Sequence, residues 1–356
     1  MKGNALILAN EGLDLNNAKT THGLLRKSER FTIKGVIDEK HSGEDAGVVM
    51  DGVHRNIPCY KTIALAIEQN QEQIKYLILG VATPGGIIPE AMTELIIEGI
   101  RNGLSIVNGL HHKLNDHERI VYEAIHHKVE LLDIRTTKPK EQLHFWSGKI
   151  YEVKSPIVAV LGTDCAVGKR TTSRFIEDAM NEIGVKTQMI YTGQTGYLQG
   201  DGYGFIFDCT VNDFVSGELE HAIHTCYKEV NPELILLEGQ SALMNPSGPC
   251  GAEYLASANA KGVILQHVPG RKYFKGWEKY NALIPSLEDH IKMIEIYGSK
   301  VLAITFNTTG LTKEEALQAK EETQNRLQIP VILPIEEGME ALTKVVQSYC
   351  SNFTSK

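Results

Sequence analysis

One stretch of the chain carries more chemistry than any other. The apolar run Ile157 to Leu161 leads directly into Gly162-Thr163-Asp164-Cys165-Ala166-Val167-Gly168-Lys169-Arg170-Thr171-Thr172. A buried strand feeding a glycine-bearing loop that opens a helix makes backbone N–H groups and the unpaired donors of the helix start converge on one anion. Lys169 adds a full positive charge at that point. An ordinary strand-to-helix turn with an exposed lysine needs only some of these features. Here strand, loop, Gly-Lys pair and helix coincide, so Gly162, Thr163, Val167, Gly168, Lys169, Arg170, Thr171 and Thr172 are the expected phosphate-binding residues.

The spacing departs from G-x-x-x-x-G-K-[ST] in two places. Counting back from Gly168, the first-glycine position holds Thr163, with Gly162 one residue earlier. Arg170 follows the lysine, where nucleotide hydrolases carry the hydroxyl that holds magnesium. Thr171 lies one residue on, rotated by about 100° around the helix. An arginine beside the lysine can neutralise a diphosphate without metal, by bidentate hydrogen bonds. That suits a cofactor whose phosphates do not react, and no metal site is expected.

Further candidates sit at the ends of other apolar runs. Glu238 follows Leu234 to Leu237 and emerges at the carboxyl edge of the sheet, where α/β proteins bind ligands. It is the first candidate base, although a carboxylate at a strand end also serves as a helix cap or a ligand to metal-bound water. Asp164 lies inside the loop, where it orients the backbone, binds a metal or acts on substrate; a bare carboxylate facing phosphates is unfavourable. His267 is a candidate acid or base and Arg271 a carboxylate clamp, both following the run Gly262 to Gln266; a lone histidine is also a common hydrogen-bonded structural residue. Gln194 and Thr195, in the small-residue loop Thr192 to Gly196, are expected to bind substrate from the same sheet edge, together with Gln240 and Ser241. Asn307 either hydrogen-bonds an adenine or caps the turn Thr308-Thr309-Gly310.

These loops need a scaffold, and the pattern supplies one. In the first half, Ala5 to Ala9, Gly35 to Asp38, Tyr76 to Val81, Leu104 to Gly109 and Val129 to Asp133 read as strands alternating with helices. In the second, Ile157 to Leu161, Thr187 to Tyr191, Leu234 to Leu237, Gly262 to Gln266, Val301 to Phe306 and Val331 to Ile335 do the same, with a helix over 169–183. Apolar strands alternating with helices predict parallel sheets covered on both faces, an α/β doubly wound architecture. The rhythm breaks between 136 and 156, which puts a Rossmann-like domain at 1–150 and a P-loop domain at 151–356. The first strand is not followed by G-x-G-x-x-G, so NAD is not assigned to the first half.

Composition narrows the class. A chain of 356 residues with 42% hydrophobic and 22% charged residues is globular and long enough for two cores. A net charge of −8 without a basic cluster argues against nucleic acid as a partner. Six cysteines without a C-x-x-C pair indicate reduced thiols, and five apolar residues near the start are too few for a signal peptide or a membrane span. A cytoplasmic protein acting on a small molecule, with no membrane partner and assembled as a homo-oligomer, is expected.

The segment Gly162 to Thr172 resembles the signature loop of a P-loop family, long left as a domain of unknown function, that includes the D-glutamate N-acetyltransferases of the DgcN type. The resemblance covers the whole chain, including Thr83-Pro84-Gly85-Gly86, Asn108-Gly109-Leu110-His111, Thr192 to Gly196 and Glu238-Gly239-Gln240-Ser241. More distantly, Gly-Thr-Asp followed by Gly-Lys is similar to dethiobiotin synthetase. The nearer resemblance implies acetyl transfer from acetyl-CoA to the amine of a small acidic amino acid, D-glutamate, with the CoA phosphates in the loop. The distant one implies an ATP- and magnesium-dependent kinase or ligase. A non-catalytic nucleotide sensor is the third reading.

Overall fold

The computed structural model describes residues 1–15 and 17–353; the last three positions of the range 151–356 lie outside the described residues. The chain forms two compact units. The first comprises Met1–Thr137 together with Gly193–Asp201, and the second Lys138–Thr192 with the chain from Gly202 onward.

The first unit is built from β1 (Gly3–Leu8), β2 (Phe31–Ile37), β3 (Cys59–Tyr60), β4 (Tyr76–Leu79), β5 (Ser105–Asn108) and β6 (Leu131–Asp133). Between them run α1 (Lys19–Arg26), α2 (Ala46–Asp51), α3 (Ile63–Gln69), α4 (Glu90–Arg101) and α5 (Glu118–His127). All strand pairs are parallel, in the order β3-β2-β1-β4-β5-β6. This is the order of the Rossmann sheet, with its switch point between β1 and β4. Continuous apolar strands follow from coverage on both faces: Ala5 to Leu8 and Leu77 to Ile78 are fully buried.

The second unit carries β7 (Ile157–Gly162), α6 (Lys169–Glu182), β8 (Thr187–Tyr191) and β9 (Tyr203–Gly204), with the short α7 (Gln194–Gln199) leaving it for the first unit. It continues with α8 (Asn212–Val230), β10 (Leu234–Glu238), α9 (Ala252–Leu255), β11 (Gly262–His267), α10 (Leu287–Ile296), β12 (Lys300–Phe306), α11 (Lys313–Leu327), β13 (Val331–Ile332) and α12 (Glu340–Ser351). The sheet is parallel in the order β13-β12-β11-β7-β10-β8-β9. β7 feeds two apolar layers: Ile157, Ala159 and Leu161 join one, Val158 and Val160 the other. Every strand expected from the sequence forms; β3 and β9, at two residues each, are too short to leave a pattern.

The division between units falls at Thr137/Lys138 rather than at 150/151, because residues 138–150 are docked on α8. Glu218, 2% exposed, accepts from Lys138 Nζ at 2.6 Å and from the backbone N of His144 at 3.0 Å, and its Oε1 lies 2.7 Å from His144 Nδ1. Glu220, equally buried at 2%, accepts from Ser147 N, Ser147 Oγ and Ile150 N at 2.7, 2.8 and 3.1 Å. Buried carboxylates must be matched by donors, and this strap supplies them. Among the described residues, no helix is long and apolar enough to cross a membrane, and all six cysteines are free thiols.

Candidate functional site

The central strand β7 delivers the glycine-bearing loop to the carboxyl edge of the second sheet. Glycine is required where the strand ends: a Cβ on Gly162 would stand 2.7 Å from Val167 Cγ2 and 3.1 Å from Lys169 Cδ. It is required again at Gly168, the N-cap of α6, where φ is +107°. A residue without a side chain at the N-cap leaves the first-turn amides of α6 with no capping oxygen of their own, which is the arrangement an anion completes.

Neighbouring strand ends pin the loop. Thr163 N donates to the carbonyl of Gln266 at 3.0 Å, and Asn307 Nδ2 donates to the carbonyl of Val167 at 3.1 Å. Asn307 also caps its own turn, accepting from Thr309 N and Oγ1 at 3.0 and 2.6 Å, so both its oxygen and its amide serve the scaffold. The Thr172 hydroxyl, in the first turn of α6, donates to Gln266 Oε1 at 2.5 Å, alongside Thr305 Oγ1 at 2.6 Å. Thr171 is half-buried one position earlier.

The charged residues form two braces. Asp164 is fully buried and accepts four hydrogen bonds: from Cys165 N at 2.6 Å, Asn245 Nδ2 at 3.0 Å, Arg271 Nη1 at 2.9 Å and Lys275 N at 2.9 Å. Arg271 also donates to the carbonyls of Cys165 and Ala166 at 2.7 and 3.3 Å. The aspartate thereby orients the loop backbone, one of the roles expected for it, and the expected carboxylate clamp holds the same loop. The second brace joins Arg170 Nη1 to Glu238 Oε2 at 2.9 Å, with both side chains largely buried. Glu238 Oε2 also accepts from Thr192 N at 3.3 Å. The arginine expected to meet phosphates and the carboxylate expected to act as base are thus partners of each other.

Lys169 is 7% exposed, and its ammonium donates to the carbonyls of Asp164 at 2.8 Å and Ser241 at 2.7 Å. Ser241 Oγ accepts from the Cys165 thiol at 3.5 Å, and Gln240 Nε2 donates to Thr192 Oγ1 at 3.1 Å, so both residues after β10 join the loop cluster. His267, at the end of β11, lies with Nδ1 2.9 Å from Thr163 Oγ1. Burial, with added repulsion from His290, Arg271 and Arg326, pushes its imidazole down to about 4, so the ring is neutral at pH 7.

Gln194 and Thr195 belong to the first unit. They lie in α7, which packs within the first unit, with Thr195 Oγ1 3.3 Å from Thr20 Oγ1 and Gln199 Nε2 donating to the carbonyls of Gly23 and Lys27 at 2.7 and 2.9 Å. The segment leaves the carboxyl end of β8, and within the first unit α7 supplies side-chain donors to the end of α1. Asn245 and Lys275 were not singled out in the sequence. Asn245 is 1% exposed, but it lies in an irregular segment whose only signal, a polar residue among Gly, Pro and Ser, reads as a surface turn.

A lysine-bearing loop between the central strand and first helix of one parallel sheet, carried by a chain whose other sheet has Rossmann order, defines a two-unit α/β P-loop protein. Residues 144–343 match the family model for the DUF1611_C P-loop domain of unknown function, and residues 39–137 the one for the DUF1611_N Rossmann-like domain. The chain belongs to this DUF1611 family. A D-glutamate N-acetyltransferase from Pseudoalteromonas sp is 30% identical over 276 residues, spanning 75% of this chain and 80% of the relative. One from Tritonibacter scottomollicae is 28% identical over 273 residues, 74% of this chain and 78% of the relative. The crystal structure of a DUF1611 family protein from Anabaena variabilis superposes with a TM-score of 0.85 at 26% identity, covering 97% of this chain and 99% of that one.

Proposed function

We propose that this protein transfers the acetyl group of acetyl-CoA to the amine of D-glutamate, with the loop 162–172 holding the cofactor's diphosphate. The activity is read from kinship with two D-glutamate N-acetyltransferases over three quarters of the chain. One geometric observation supports the role given to the loop. At the position where a nucleotide hydrolase carries its metal-holding hydroxyl stands Arg170, bound to Glu238. A loop so built holds phosphates without cleaving them. The first-turn amides of α6 and the Lys169 ammonium would bind the diphosphate.

When bound, acetyl-CoA supplies an activated acyl group as a thioester. The thioester would lie a pantetheine arm's length from the diphosphate, so the substrate ammonium would give up its proton, and the free amine attack, outside the loop. On this reading Asp164, Glu238 and His267 position the loop rather than act as the base, and Gln240, Ser241 and Arg271 belong to the same framework.

The test measures thiol release from acetyl-CoA by purified protein, with and without D-glutamate, in the absence of ATP and magnesium. Release that depends on D-glutamate is the expected result. Formation of ADP or phosphate from ATP without thiol release would overturn it in favour of a kinase or ligase.

A further inference from the structure

Beyond β11 the chain makes a flap rooted in the phosphate loop. Tyr273 and Leu283 form an antiparallel bridge. Phe274 N donates to Ala282 O at 2.9 Å and Ile284 N to Lys272 O at 3.0 Å, so two arms run side by side. Phe274 is 3% exposed and anchors the stem, while Arg271 Nη1 and Lys275 N both donate to the buried carboxylate of Asp164. The flap is therefore fixed to the loop by a charge-assisted contact at its base.

Its tip combines exposed aromatic rings with lysines. Trp277 and Tyr280 stand 37% and 63% exposed, with ring centroids 5.8 Å apart. Lys279 Nζ sits 4.8 Å from the centre of the Tyr280 ring and Lys272 Nζ 5.3 Å from that of Tyr273. Lys272, Lys275 and Lys279 are all exposed. Between 271 and 283 the only acidic residue is Glu278, an exposed carboxylate that accepts from Gly276 N at 3.0 Å. In a chain with a net charge of −8, this short segment is basic. Aromatic faces interleaved with cations are what a flat base carrying an extra phosphate requires: the rings stack the base, and the ammonium groups meet the phosphate.

Resting on the reading that the loop holds a CoA diphosphate, we infer that the flap 272–284 is the cofactor-selecting element of the site. Its tip binds the 3′-phosphoadenosine end, with Trp277 and Tyr280 against adenine and Lys272, Lys275 and Lys279 around the 3′-phosphate. This makes the site prefer coenzyme A to nucleotides and to a coenzyme lacking that phosphate.

The experiment titrates the full-length protein with CoA, with dephospho-CoA, which lacks only the 3′-phosphate, and with ADP. Wild type is expected to bind CoA at least about fivefold more tightly than dephospho-CoA, the scale of one exposed charge pair. Lys279→Glu with Lys272→Ala should erase or reverse that preference. Trp277→Ala should weaken CoA and dephospho-CoA alike by about fivefold or more, the lower end of base stacking. Both variants change exposed side chains, and an unaltered circular dichroism spectrum checks that they fold. Equal wild-type affinity for CoA and dephospho-CoA, or flap variants that bind CoA as wild type does, would overturn the inference while leaving acetyl transfer standing. Failure of wild type to bind CoA at all would overturn both, and the wild-type titration alone identifies that case.

Discussion

The carboxyl edges of the two sheets solve the same problem with different chemistry. In the first unit the edge acids Asp38 and Asp133 are matched by backbone amides, an asparagine and a histidine. Asp38, fully buried just after β2, accepts from Leu13 N at 3.0 Å and His41 N at 3.2 Å, and its Oδ1 lies 3.0 Å from His41 Nδ1. Asp133, ending β6, accepts from Asn108 Nδ2, Leu114 N and Asn115 N at 2.7, 2.9 and 3.1 Å. In the second unit both edge acids are matched by arginines, Asp164 by Arg271 and Glu238 by Arg170. Both second-unit acids also accept from backbone amides, so the arginines are added to that kind of support. An arginine pair also concentrates charge beside the loop, where an anionic ligand can tip the balance. The difference is that the second edge carries arginine partners beside the loop.

Four experiments break or sharpen this contrast. The largest effect should come from Arg170→Met, which leaves the buried Glu238 carboxylate without its cation and should cost about 3 kcal/mol in urea unfolding. Adding Glu238→Gln should recover most of that loss. If instead the single Glu238→Gln variant folds normally and stops turnover, Glu238 is a reacting group and not a brace.

Next is Lys169→Ala, which should weaken CoA binding about a hundredfold by titration calorimetry, through removal of one charge-assisted contact. A folded variant with wild-type affinity would take the loop out of the binding site.

The third concerns pH. His267 sits at about 4 in the folded protein against 6.5 for the free side chain, so between those values the unfolded chain binds more protons. Its contribution is therefore lost as pH falls through that window. Wild type should lose about 2 kcal/mol more than His267→Asn between about pH 7 and pH 5. Parallel stability curves for the two proteins would refute the neutral, buried imidazole.

The smallest effect belongs to the first unit. Gln199→Ala removes two neutral hydrogen bonds from α7 to α1 and should cost about 1 kcal/mol, read as faster proteolysis within 193–201. A loss as large as that of Arg170→Met would mean the two edges are not held by different strengths of interaction.

Much of this was legible in the sequence. Runs such as Ile157 to Leu161 and Leu234 to Leu237 announce buried parallel strands, because strands covered on both faces cannot alternate in polarity. Gly162, Gly168 and Lys169 announce the loop, because the backbone there needs both conformational freedom and a cation. Asn245 gave no such signal, since its value comes from a contact with Asp164, a residue 81 positions away in sequence.

The sequence alone thus determined the elements, the two parallel sheets and the position of the lysine-bearing loop, because periodicity and glycine placement are local properties of the backbone. The tertiary structure decided which charges neutralise which. It paired Arg170 with Glu238 and Arg271 with Asp164, sent Gln194 and Thr195 into the first unit, and strapped 138–150 onto α8. Those outcomes turn on which buried polar groups find partners across long stretches of chain, and a linear pattern carries no record of that.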